Sequence, residues 1–167
     1  MKKIIFLVLS LLIINNLFSQ DNARIQSVFI YNFTRMVNWN EPTSNEPFKI
    51  AVYRNNSMFS EVVEMEENRQ VGSRSIEAIH FQSLDEITNV HVLYIPSNES
   101  RRISDIVEIL KSKNSKTLII TDSRGALSQG SLINFLIIDS RMRFEISTDN
   151  FSTMGITPGN ELIRLAF

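Results

Sequence analysis

A chain of 167 residues with a formal charge of −1 is the size of one domain, and it lacks the basic excess that nucleic-acid binding usually requires. Its 43% hydrophobic and 21% charged composition is that of a globular protein, able to bury about 70% of its unfolded surface without help from a metal. Cysteine is absent, which excludes a disulfide framework, a thiolate metal site and a cysteine nucleophile together.

Met1-Lys2-Lys3 is a short basic start, and Ile4 to Ile14 is an apolar core of signal-peptide length. Asn15-Asn16 ends that core well short of the roughly 20 apolar residues a bilayer span needs, so the segment reads as a leader rather than an anchor. Small Ser19 before Gln20 marks the cleavage point, with Leu17 departing from the usual small residue at −3. The expectation is a signal peptide over residues 1–19, a mature domain over 20–167, and export as a soluble protein.

From Asp21 to Val37 the residues Ile25, Val28, Phe29, Phe33, Met36 and Val37 recur at three- and four-residue spacing, which predicts a helix with that stripe inward. Pro42 ends it beyond Trp39, whose ring is expected to anchor the helix end. Phe48 to Tyr53 reads as the first strand, with Asn55 or its neighbours capping a helix from Met58 to Asn68. Glu61, Glu64, Glu66 and Glu67 give that helix an acidic, solvated face. A strand over Ser75–Phe81 follows, then a helical turn with a capping-box pattern from Ser83 to Glu86. Val90 to Ile95 is the third strand, and Ser100 caps a helix to Lys113 with Ile103, Ile106, Val107 and Leu110 inward.

Thr117 to Thr121 and Leu132 to Ile138 are apolar runs that read as strands buried on both faces. Asp139-Ser140 turns the chain into Arg141 to Ile146, where strict alternation puts Met142, Phe144 and Ile146 on one face and Arg141, Arg143 and Glu145 on the other. A last helix is expected over Glu161–Ala166. Strands alternating with helices predict a single-domain α/β fold: a mostly parallel sheet flanked by helices on both faces, with an antiparallel edge hairpin near the C-terminus.

Catalytic signals are sparse. The two histidines, His80 and His91, each lie in a strand without ligand-spaced partners, so no metal site is predicted. No glycine-rich phosphate loop and no G-x-S-x-G elbow occurs, and no cofactor is implied. Two places offer binding groups. Asp122, Ser123 and Arg124 leave the carboxyl end of a strand, where open parallel sheets place ligands, and Arg124 could grip an anion. Arg143 and Glu145 could pair internally or meet a partner.

The order of segments resembles the YfiR family. The resemblance rests on Tyr31-Asn32-Phe33-Thr34, Val37-Asn38-Trp39, Phe48-Lys49-Ile50, His91 to Ile95, Thr121-Asp122, Arg143 to Ile146, Gly155-Ile156 and Glu161 to Ala166. Val90 stands where the family often has Cys, so the family's disulfides cannot form here. The resemblance implies a non-catalytic periplasmic protein, not an enzyme, and a homodimer. It further implies repression of an inner-membrane diguanylate cyclase through the periplasmic part of that enzyme, with an outer-membrane-linked antagonist relieving the repression; the departures from the family pattern leave room for a sensor kinase in the cyclase's place. Phe59, Trp39 and the Arg143 stripe are then possible partner contacts. The alternative is a periplasmic small-ligand binder using the Asp122 loop.

Overall fold

The computed structural model describes residues 22–40 and 44–167. The expected signal peptide therefore lies outside the described residues. Among the described residues nine strands and five helices follow in chain order: α1 (22–36), β1 (Val37–Asn38), β2 (Phe48–Tyr53), α2 (Asn56–Asn68), β3 (Gln70–Val71), β4 (Arg74–Phe81) and β5 (Val92–Ile95). Then come α3 (Ile103–Ser112), β6 (Leu118–Thr121), β7 (Ile133–Ile138), β8 (Arg141–Ile146), α4 (Thr148–Thr153), β9 (Thr157–Pro158) and α5 (Asn160–Leu165).

The main sheet has the order β3-β4-β2-β5-β6-β7-β8. Its pairs β4/β2, β2/β5, β5/β6 and β6/β7 are parallel, while β3 and β8 add antiparallel edges. The predicted α/β architecture with its edge hairpin is the one observed. From β2 the chain crosses to β4 on one side, and from β5 it crosses to β6 on the other. Right-handed crossovers running in opposite directions put α2 and α3 on opposite faces. α1 lies beside α2, with Ser27 Oγ 3.5 Å from Glu61 and the Tyr31 hydroxyl donating to Gln70 O at 3.0 Å.

Every residue of β5 and β6 is buried, as the apolar runs predict for strands covered on both faces. β7 departs from that expectation: Ile133–Phe135 are buried, but Leu136, Ile137 and Ile138 are not. Thr121, the last residue of β6, pairs with Asn134, so the rest of β7 runs on past the sheet with β8 as its only neighbour. Asp139 and Ser140 both have positive φ, 49° and 60°, the pattern of a two-residue hairpin turn matched to strand twist.

The face of α1 is also different from the prediction. Phe33 is buried against Phe135 and Phe144, but Ile25 and Val28 are 47% and 44% exposed. In their place Gln26, Ser27 and Thr34 are turned inward. The reason is polar: Gln26 reaches hydrogen-bonding groups at the sheet's carboxyl edge, described below.

Smaller differences are local. Residues Ser97–Arg102 form a 3-10 turn ahead of α3 instead of extending it. The expected capping box at Ser83 does not form; Glu86 accepts from Gln82 N at 2.6 Å. α4 was hidden in a polar stretch whose helix is started by Ser147, which accepts from Asn150 N. β1 and β9 pair to close α1 onto the start of α5, and Gly159 N donates to Met36 O at 2.7 Å.

Candidate functional site

The strand order β4-β2-β5-β6-β7 reverses direction between β2 and β5, and open α/β sheets bind ligands at such a switch point, outside the carboxyl ends of the strands. A cavity of about 290 Å³ lies there. Asn55 comes from the end of β2, Pro96 to Asn98 from the end of β5, and Asp122 from the end of β6; α1 adds Asn22, Ala23 and Gln26, and α2 adds Ser57 and Met58.

Asp122 anchors the wall of this cavity. Its Oδ2 accepts the Tyr94 hydroxyl at 2.9 Å and Gln26 Nε2 at 3.4 Å, while the Tyr94 hydroxyl lies 3.2 Å from Gln26 Oε1. Burial, then the Asp122 carboxylate, pushes the Tyr94 hydroxyl far above its ordinary range, so it remains a protonated donor. Asp122 Oδ1 is buried and has no hydrogen-bond partner among the described residues.

Ser123 turns the other way. Its side chain is buried, its Oγ has no partner among the described residues, and its N–H donates to Asn134 Oδ1 at 3.0 Å. Arg124 is exposed and does not line the cavity, so the expected grip of Arg124 on an anion beside Asp122 is not what the geometry offers. The αL turn at Gly125, φ 74°, carries the chain away from the cavity.

The second sequence candidate is joined to the first by a residue that sequence reasoning missed. Asn134, fully buried on β7, accepts from Thr121 Oγ1 at 2.8 Å and donates to Glu145 Oε1 at 2.8 Å. Ser131 Oγ extends the row, 2.9 Å from Thr121 Oγ1. Glu145 is thus half-buried and spent on the hairpin, whereas Arg143 and Arg141 stay exposed. The signal for Asn134 was a lone amide inside the run Leu132 to Ile138, since a buried amide in a strand must be bonded on both of its polar atoms.

Trp39 is at the opposite end of the sheet. Its Nε1 donates to Thr34 O at 3.1 Å and its ring meets Phe48 and His91 edge-on, which makes it the anchor expected of it. A second cavity of about 430 Å³ opens nearby, lined by Lys49, Arg74, His91 and Lys116 among others. His91 Nδ1 accepts Lys49 N–H at 2.9 Å, and its ring stacks on Phe48 at 4.3 Å. Burial, followed by the charges of Arg74 and Lys49, lowers its pKa to about 4. His80 stacks on Phe59 at 4.5 Å, and burial lowers its pKa against the pull of Glu86. Among the described residues, no group of three or more His, Asp or Glu could hold a metal ion, and no helix is long and apolar enough to cross a membrane.

A family model described as YfiR/HmsC-like matches residues 23–167, and the chain belongs to that family. The family is one of periplasmic regulators of diguanylate cyclase signalling, known to interact with membrane signalling proteins. No curated protein matches the chain.

Proposed function

We propose that this YfiR/HmsC-like chain is a non-catalytic periplasmic repressor that binds the periplasmic part of an inner-membrane signalling protein, a diguanylate cyclase or a sensor kinase, and holds it inactive. Repression requires that the chain bind the inactive form of the partner more tightly than the active one. A homodimer and an outer-membrane-linked antagonist that sequesters the chain complete the reading.

The observation that carries it is the outward turn of the α1 apolar stripe. Ile25 and Val28 sit three residues apart and share a helix face, exposed to solvent while polar neighbours are buried. Beside them Phe29 meets Phe144, and Phe144 O takes the N–H of Phe167, whose own side chain is 76% exposed. Ile163 and Leu165 on α5 are exposed as well. Exposed apolar side chains on α1 and at the C-terminus, two segments that both reach Phe144, suit a protein interface.

The test is crosslinking and recovery of the chain from its native envelope, with wild type beside an Ile25→Glu/Val28→Glu variant. The expected result is recovery of an inner-membrane signalling protein by wild type and loss of it by the variant, whose circular dichroism is unchanged. Equal recovery by both would remove α1 from the interface, and recovery of no membrane signalling protein by wild type would overturn the proposal.

A further inference from the structure

We propose that the cavity at the carboxyl ends of β2 and β5 binds a small ligand bearing a primary ammonium group, which is held by the Asp122 carboxylate against the amides of Gln26 and Asn55. The site and its ligand class stand apart from the identity of the membrane partner.

Position comes first. The cavity occupies the crevice that this strand order creates, where neighbouring crossovers leave in opposite directions and the described residues do not fill the gap. Its walls come from three strand ends and the first turns of two helices, so the side chains are held by rigid elements.

The chemistry of the lining then selects the ligand. Among the described residues the polar groups are amides, hydroxyls and one carboxylate, and no lysine or arginine lines the cavity. Asp122 supplies the charge among the described lining residues, and the Gln26 and Asn55 amide oxygens, which accept from the Tyr94 hydroxyl and from Met58 N–H, each keep a second lone pair for a donor. A cation with several hydrogens to donate matches this lining, whereas an anion would meet a carboxylate with no counter-charge. A divalent metal ion would need more oxygen ligands of fixed geometry than one carboxylate supplies.

Asp122 also has acceptor capacity to spare. A carboxylate can take about four hydrogen bonds. Oδ2 holds the two donors from Tyr94 and Gln26, and Oδ1 has none among the described residues. Buried polar atoms are rarely left without a partner; Oδ1 is closed to solvent, so a small turn of the Asp122 side chain on ligand binding brings it to the ammonium. Tyr94 and Gln26 fix the carboxylate from behind, so little is lost in ordering it when the guest arrives. The volume, about 290 Å³, is at the small end of ligand pockets and admits an amino alcohol or short diamine but not a nucleotide.

The test is calorimetric titration of the purified protein with ethanolamine and with 1,4-diaminobutane, using glycerol and magnesium chloride as controls. Saturable binding is expected for one or both amines and for neither control. Asp122→Asn should weaken amine binding at least tenfold. Ser57→Trp places a bulky side chain at the first turn of α2, beside the cavity, and should abolish binding while the thermal transition stays cooperative. It decides the matter should Asp122→Asn fail to fold. Absence of binding by both amines, equal affinity for glycerol, or amine affinity unchanged in Ser57→Trp would each overturn the proposal.

Discussion

His91 shows how one side chain ties solution conditions to this fold. It sits just before β5, with its ring on Phe48, its Nδ1 taking the Lys49 N–H and Arg74 Nη2 2.9 Å from its Nε2. Burial and the two nearby cations oppose protonation, so the folded pKa is about 4 against 6.5 for an unhindered ring. Between those values the unfolded chain binds a proton that the folded ring refuses. Stability contributed by the neutral ring is therefore complete above about pH 6.5 and is lost as pH falls toward 4. Urea midpoints should fall between pH 7 and pH 4.5, and His91→Asn should fall by less over the same range. Equal pH dependence in both proteins would assign the effect to other groups.

At the scale of elements, the closure of α1 onto α5 depends on a contact that only glycine permits. A Cβ on Gly159 would lie 2.6 Å from Met36 O, a backbone atom that cannot swing aside, at the point where Gly159 N donates to the same oxygen. Gly159→Ala is expected to cost roughly 1–3 kcal/mol and to loosen the β1–β9 pairing, read as a lowered urea midpoint. Gly72→Ala is the control for added bulk, because nothing lies within 4 Å of its Cβ position, although its φ of 64° adds backbone strain. An unchanged midpoint in Gly159→Ala would mean that the ends of α1 and α5 separate freely.

Elements were also the scale at which the sequence was most legible. Phe48 to Tyr53 and Arg141 to Ile146 have the predicted bounds because continuous apolar runs and strict alternation are local patterns. What stayed hidden depended on distant residues. Ile25 and Val28 fit the helical period as well as Phe33 does, and only Tyr94 and Asp122, 68 and 96 residues beyond Gln26, explain why the helix turns its polar side inward. The overshoot of β7 depends on where β6 stops. Of the candidate site, Asp122 was legible from its place after a strand, but the opposite turns of Ser123 and Arg124 rest on Asn134 and Gly125.

For the molecule as a whole, burial divides the sheet into a firm centre and a loose rim. β2, β5 and β6 are flanked on both sides by other strands and almost wholly buried, whereas the tip of the β7–β8 hairpin has neither cover. Native-state hydrogen exchange should find the slowest amides at Ile50–Val52, Leu93–Tyr94 and Ile119–Ile120, and faster exchange at Ile137 and Met142. Uniform protection across β7 would contradict this picture.

The same strand order has a kinetic side. Each of the four parallel pairings joins segments separated by a crossover, so loop-closure entropy must be met before any of those pairings returns energy. Only the hairpin and the short β3–β4 corner can form from neighbouring residues. Collapse to the native sheet is therefore a late event in the life of the chain. Proteins of a periplasmic family are carried across a membrane before they work, and a sheet that is slow to close suits a polypeptide that travels unfolded.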